Sequence, residues 1–264
     1  MHTGMIVVAA GYGSFRETGG HRPIPKVIER VRGLPMVVHP LIAAERMGSA
    51  KTVVVVNPRD AEIVVATIAH VHRTGGIRTM PLIVLQPGRF GAADAVQRAL
   101  PELRNVGVRR VLVTYGDMPE WSADTYQALL MSDRPEHTVT MTTVVRSDKY
   151  PVLDTYGRVL RDAKGNIRSI VEVKGVEVPR RIYVIPHVNP SLWIWNARWL
   201  ESSIAKITPV KKSDGYGDEL YMPPLIEIAS SEGRIIGELS LGVQYSHEAC
   251  GVNSIDELNA LQAR

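Results

Sequence analysis

The chain has a single cysteine in 264 residues, Cys250. It cannot close an internal disulfide, so no oxidising compartment is required and a cytoplasmic setting is expected. Long apolar runs are missing as well. Runs such as the four valines at 53–56 have the length of a buried strand and fall far short of the roughly 18 apolar residues of a bilayer span. The short apolar stretch near the N-terminus has no basic residues before it and no small-residue cleavage site after it, so no signal peptide is expected. Aromatic residues make up 6% of the chain, and the basic residues are scattered in pairs such as Arg109 with Arg110 and Arg180 with Arg181. Without a basic tract carrying interleaved aromatics, the net charge of +4 reads as a solvated surface and not as a nucleic-acid footprint. His70 and His72 stand two apart on a helical segment and face different ways, which argues against a metal site there. No low-complexity segment, internal repeat or Pro/Gly/Ser-rich linker divides the chain, so one domain over 1–264 is expected.

A hydrophobic fraction of 45% is ample for a sizeable core. Short β-branched runs at 5–9, 52–56, 82–85 and 111–114 predict strands, separated by helices beginning at Pro35 and ending before Gly48, at 60–72 and at 92–103. These strands are apolar on both faces, as in a mostly parallel sheet covered by helices on each side. Beyond about residue 135 the chain becomes richer in strands, at 138–145, 158–161, 167–173 and 192–195. Helices return at 197–206, 225–230 and 254–261, the last opened by Ser254 with Glu257 three residues on, a capping-box pattern. Trp193 and Trp195 alternate with Ile194 as packing residues or pocket walls and not as nucleic-acid stacking platforms.

The chemistry-bearing residues follow strands. The first strand runs into Ala9-Ala10-Gly11-Tyr12-Gly13-Ser14, at the carboxyl end where open α/β sheets bind ligands; small residues there let backbone N–H groups approach a phosphate. The turn lacks a third glycine and the Gly-Lys-Ser/Thr of a P-loop. A long polar stretch leads from it to Pro25-Lys26, and its Arg16, Arg22 and Lys26 have the charge to neutralise a triphosphate. Tyr115-Gly116-Asp117-Met118-Pro119 follows the fourth apolar strand. Asp117 reads either as an oxygen ligand for a hard cation such as Mg2+ or as a loop carboxylate capping the next helix. Cys250 has no recognisable base partner and reads as a small buried residue, not a nucleophile.

Four of these motifs in order, Ala9-Ala10-Gly11-x-Gly13-Ser14, Pro25-Lys26, Tyr115-Gly116-Asp117-Met118-Pro119 and Gly251-Val252-Asn253, resemble the sugar-1-phosphate nucleotidyltransferases, in particular the uridylyltransferase domain of bacterial N-acetylglucosamine-1-phosphate uridylyltransferases. The resemblance extends through Leu85-Gln86 with Gly91-Ala92, Tyr156-Gly157-Arg158, the stretch 170–174 and Val188-Asn189. It implies an α/β fold, a Rossmann-like α/β/α sandwich around a mixed, mostly parallel sheet of the nucleotide-diphospho-sugar transferase type. It also implies a nucleotide-binding lobe over roughly 1–135 and a sugar-binding lobe over roughly 136–250. Val8, Ala9, Ala10, Gly11, Tyr12, Gly13 and Ser14 are then expected along the nucleotide, with Gln86, Gly91 and Ala92 at the base and Tyr115 and Gly116 at the centre of the pocket. Lys26, Arg16 and Asp117 are the expected catalytic residues, Asp117 and Asn253 the Mg2+ ligands, and Gly157, Glu172 and Asn189 the sugar contacts. The substrates implied are UTP or another nucleoside triphosphate and a sugar 1-phosphate; neither nucleic acid nor a membrane is expected as partner.

The chain departs from this pattern at three places. Gly13-Ser14-Phe15 stands where the family has Gly-Thr-Arg, so Arg16 or Arg22 is left to replace the loop arginine. Asn189-Pro190-Ser191 replaces the family's Asn-Thr-Gly, which leaves the sugar open. The hexapeptide-repeat acetyltransferase domain of the family is not expected in this chain.

Overall fold

Runs of β-branched residues form the strands they predict. The computed structural model describes residues 2–15, 24–211 and 218–262. In the first half lie β1 (Thr3–Val8), β2 (Arg30–Val31), β3 (Leu34–Pro35), α1 (Val38–Arg46), β4 (Thr52–Val56), α2 (Ala61–Arg73), β5 (Leu82–Leu85), α3 (Gly91–Arg104), β6 (Arg110–Tyr115) and α4 (Ala123–Ser132). The second half adds β7 (Val139–Val145), β8 (Arg158–Arg161), β9 (Ile167–Val171), α5 (Arg180–Tyr183), β10 (His187–Val188), β11 (Trp193–Asn196) and α6 (Ala197–Ser203). It closes with β12 (Val210–Lys211), β13 (Asp218–Glu219), α7 (Pro224–Ser231), β14 (Ile236–Leu241) and α8 (Ile255–Gln262).

Both halves feed one ten-stranded sheet in the order β5-β4-β1-β6-β11-β7-β10-β8-β9, with β14 beside β7. Strands β5, β4, β1 and β6 are parallel neighbours, whereas β11 is antiparallel to both β6 and β7. Successive residues of a strand point to opposite faces, and here each face meets its own helices. Met5, Val7, Val54, Val56 and Leu112 pack with Leu41 of α1, Ile68 of α2 and Leu129 of α4. Ile6, Val53, Val55, Val111 and Val113 pack with Val96 and Leu103 of α3, Leu200 of α6 and Ile226 of α7. The result is the helix–sheet–helix sandwich that unbroken valine runs demand. Among the described residues no helix is long and apolar enough to cross a membrane.

The first helix begins later than expected. Pro35 is paired in β3 and not at the start of α1, because Arg32 and Gly33 adopt φ of 50° and 79° and fold β2 onto β3. Two consecutive positive φ values make the tight hairpin turn that matches strand twist. Gly48 is the left-handed stop expected of it (φ 68°), and Ser49 N–H donates to the Ala44 carbonyl at 2.9 Å. Strand β14 was not foreseen, for its IGELSL run carries a glycine and a glutamate. Both are accommodated by neighbours: a side chain on Gly237 would collide with His137, and Glu238 pairs with Arg161 at 2.5 Å.

One buried polar knot ties the sheet to α4. Arg110, 4% exposed, forms a two-pronged ion pair with Asp133 and donates to the His137 carbonyl at 2.7 Å, while Thr140 Oγ1 donates to Asp133 Oδ1. Removing one member of such a pair strands a desolvated charge. Arg110→Leu is therefore expected to lower unfolding free energy by about 3–5 kcal/mol, read by urea denaturation, and adding Asp133→Leu to recover part of the loss.

Candidate active site

The site begins where β1 and β6 end side by side. Val8 and Tyr115 are register partners, and Gly116 N–H continues the ladder to the Val8 carbonyl at 2.9 Å. The loops at 9–14 and 116–121 thus leave the sheet together at the carboxyl ends of parallel strands. Gly116 fits here because a Cβ would stand 3.1 Å from that of Ala9.

Lys26 returns to the first loop, its N–H donating to the Gly13 carbonyl at 2.9 Å and its stem lying against Gly13. Its ammonium reaches Asp117 Oδ2 at 2.5 Å, and Asn253 Oδ1 and the Val252 carbonyl each at 3.3 Å. Asn253 is far away in sequence. It arrives because Val252 N–H donates to the Asp117 carbonyl at 3.0 Å and the start of α8 is capped. Glu257 N–H donates to Ser254 Oγ at 3.1 Å, and the Glu257 carboxylate accepts from the N–H groups of Ser254 and Asn253. The capping box seen in the sequence therefore also orients Asn253.

A hollow of about 500 Å3 opens beside this cluster. Of the residues expected at the nucleotide, Val8, Ala9, Ala10, Gly11, Tyr12, Gly13, Lys26, Gln86, Gly91, Ala92 and Tyr115 line it, together with Asp117. Gly116 lies behind the wall, and Ser14 is not among the lining residues. Gln86 is buried, and its amide nitrogen donates to the Gly91 carbonyl and to Asp94 Oδ2, both at 2.8 Å. Gly91 has φ 83°, and a Cβ there would strike the Leu220 backbone at 2.4 Å. Leu220 in turn bonds Phe90 and Ala93 through its own N–H and carbonyl. This contact carries Glu219 and Tyr221 into the wall. Neither was singled out in the sequence; the short strands β12 and β13 give no periodic signal. Arg89 was also overlooked: its guanidinium and that of Arg59 lie 4.9 and 4.7 Å from the centre of the Tyr12 ring.

A second hollow, about 230 Å3, shares Tyr115 and Asp117 with the first. Gly157, Glu172, Asn189 and Asn253 all line it, as do Ser191, Lys174 and Tyr156. Asn189 N–H donates to the Gly157 carbonyl at 2.9 Å, while a Cβ on Gly157 would come within 3.0 Å of Glu172 Oε1. Glu172 reaches solvent through the open mouth, yet the crowding protein around its carboxyl raises its pKa above the usual range. Burial likewise raises the pKa of the Tyr115 hydroxyl, so the group stays protonated. Tyr156 OH donates to the Ala249 carbonyl at 2.8 Å and accepts from Gly251 N–H at 2.9 Å, fastening 249–251 to the rim. Trp193 and Trp195 are fully buried and support the site from behind, Trp193 meeting Tyr115 edge-on at 6.4 Å.

Arg16 and Arg22 lie outside the described residues. Among the described residues, no three His, Cys, Asp or Glu side chains converge as a protein-only metal cage. Asp117 Oδ2 and Asn253 Oδ1 do converge on one cation, the Lys26 ammonium. Two hollows with a common wall at Tyr115 and Asp117 can bring the reactive ends of two molecules to a single charged point.

A family model described as a MobA-like NTP transferase domain matches residues 5–182. The chain is 29% identical over 258 residues to the bifunctional protein GlmU of Acidovorax ebreus, covering 98% of this chain and 50% of that one. It is 29% identical over 248 residues to the bifunctional protein GlmU of Bacillus cereus, covering 94% and 48%. It thus spans about half the length of the curated relatives it matches. A putative glucose-1-phosphate thymidylyltransferase from Bacillus anthracis superposes with a TM-score of 0.69 at 14% identity, over 99% of this chain and 94% of that one. The inositol-1-phosphate CTP transferase from T. maritima gives 0.65 at 18%, over 100% and 95%. These structures share the fold, and with most of its length matched by the family model, the chain belongs to the MobA-like NTP transferase family.

Proposed function

We propose that the protein is a sugar-1-phosphate nucleotidyltransferase that takes UTP and an N-acetylhexosamine 1-phosphate, such as N-acetylglucosamine 1-phosphate, and releases pyrophosphate. The observation that carries this reading is the meeting of Lys26, Asp117 and Asn253 where the two hollows join. In this reading the larger hollow holds the nucleotide and the smaller one the sugar phosphate. A phosphate oxygen of the sugar phosphate forms a bond to the α-phosphorus of the nucleotide as the bond to the bridging oxygen breaks, and the electron pair leaves with pyrophosphate. The nucleophile is already an anion. No general base is needed, and what the protein supplies is alignment of two like-charged molecules and neutralisation of the developing charge.

Lys26 neutralises phosphate, and the backbone of residues 9–13 approaches it closely. Gln86 reads the base. With its amide N–H groups engaged by Gly91 and Asp94, it offers its carbonyl oxygen, which accepts from the N3–H of uracil. Gly157, Glu172 and Asn189 hold the sugar. The oxygens of Asp117 and Asn253 suit Mg2+, which needs few protein ligands when phosphates and water complete its shell. Bound there, the ion would screen the phosphates and stabilise the leaving pyrophosphate. Lys26 bridges the same two oxygens, so the ammonium and the ion would compete for them. The lone buried Cys250 accords with a cytoplasmic enzyme. A different base is the second reading, favoured by two solved structures of the same fold, a synthetase bound to CTP and a CTP transferase.

Three outcomes follow. Asp117→Ala is expected to lower turnover by about two to three orders of magnitude with an unchanged melting temperature; near wild-type rates at saturating Mg2+ would remove Asp117 from the chemistry. Lys26→Gln is expected to bind Mn2+ more tightly than the wild type without nucleotide, as read by electron paramagnetic resonance, while turning over more slowly. In a pyrophosphate-release panel of four nucleoside triphosphates against several sugar 1-phosphates, UTP with N-acetylglucosamine 1-phosphate is expected to lead. Preference for CTP or GTP would reassign the base; nucleotide binding without any release would mark a sugar-nucleotide-binding protein that has lost turnover.

A further inference from the structure

Two non-glycine residues among those described have positive φ: Arg32 at 50° and Ser191 at 63°. Arg32 is accounted for by its hairpin turn. Ser191 is not in such a turn; it follows Pro190 between β10 and β11, on the wall of the smaller hollow. Glycine adopts this backbone at no steric cost and serine does not. A side chain retained against backbone strain in a cleft points to a task for that side chain.

Its contacts show what it holds. Ser191 N–H donates to Asn189 Oδ1 at 3.1 Å, and Asn189 Nδ2 donates to Ser191 Oγ at 3.3 Å. The same serine stands beside the Tyr115 hydroxyl, whose ring lies in the wall common to both hollows. Asn189 is 4% exposed, and its amide orientation is set by these two bonds. With one lone pair of Oδ1 and one N–H engaged, the amide is left with a single N–H to donate, in a fixed direction, beside the second lone pair of Oδ1.

We propose that Ser191 is a positioning residue that sets the acceptor preference of this chain: it locks the Asn189 amide in one arrangement and fills the space a glycine would leave. The acceptor it selects is a sugar 1-phosphate that offers an oxygen acceptor, hydroxyl or amide carbonyl, to the Asn189 N–H. This rests on the reading of the smaller hollow as the acceptor site.

The test compares Ser191→Gly and Ser191→Ala with the wild type in pyrophosphate release, varying the sugar phosphate and the nucleotide separately, together with thermal melting. Both variants are expected to raise KM for the preferred sugar phosphate about tenfold, the loss of roughly one hydrogen bond, with KM for the nucleotide unchanged and the ranking of sugar phosphates flattened. The glycine variant is expected to melt no lower than the wild type, since its backbone strain is relieved, and the alanine variant lower. A merely structural serine would leave the glycine variant with the wild-type KM and ranking, and that result overturns the proposal while leaving the transferase reading intact. A wild-type protein that neither binds nor turns over any sugar phosphate overturns both.

Discussion

The parallel pairing of β1 with β6, level at Val8 and Tyr115, is the constraint from which the site is built. Two strands ending at the same height release two loops at one point, and their aligned backbone puts N–H groups and a carboxylate around a common space. The pairing is itself held from both sides, because each strand is covered by helices on both faces. A slip by one residue would turn Met5 and Val7 to the face now occupied by Ile6 and invert both layers. The position of Asp117 relative to the glycine loop is therefore secured by core packing and not by local contacts.

Around that pair, segments remote in sequence are brought in by backbone hydrogen bonds. Val252 joins the Asp117 carbonyl, Leu220 joins Phe90 and Ala93, and Asn189 joins the Gly157 carbonyl. Main-chain bonds are tolerant of side-chain identity. Glycine appears where the approach is close, at Gly91 and at Gly157, because a Cβ would stand 2.4 Å from the Leu220 carbonyl oxygen at the first and 2.6 Å from Ile170 Cγ2 at the second.

Charge in the site is balanced internally. Lys26 lies against Asp117, and the two side chains are 14% and 23% exposed. In the proposed reaction a phosphate would draw the ammonium away and a divalent ion would take its place at the carboxylate. The buried Arg110–Asp133 pair has no such exchange open to it and serves to fasten β6 to α4.

Much of this could be read from residue types and spacing. Valine runs predict strands buried on both faces; Gly48 marks its left-handed stop; Ser254 and Glu257 cap α8; and the glycine loop, Lys26, Asp117 and Asn253 stand out as an ordered set. Those features are local, decided by sterics and hydrogen bonds within a few residues. Other features were not legible. Pro35 reads as a helix start until the Arg32-Gly33 turn pairs it in a hairpin, and β14 hides behind a glutamate whose partner, Arg161, is 77 positions away. Glu219, Tyr221 and Arg89 enter the walls only through pairings and ring contacts between distant segments. Residue order thus sufficed for the elements and the principal polar groups, whereas the convergence of those groups, and the neighbours that orient each one, came from long-range pairing, whose energy is shared across the whole sheet and leaves no local pattern to read.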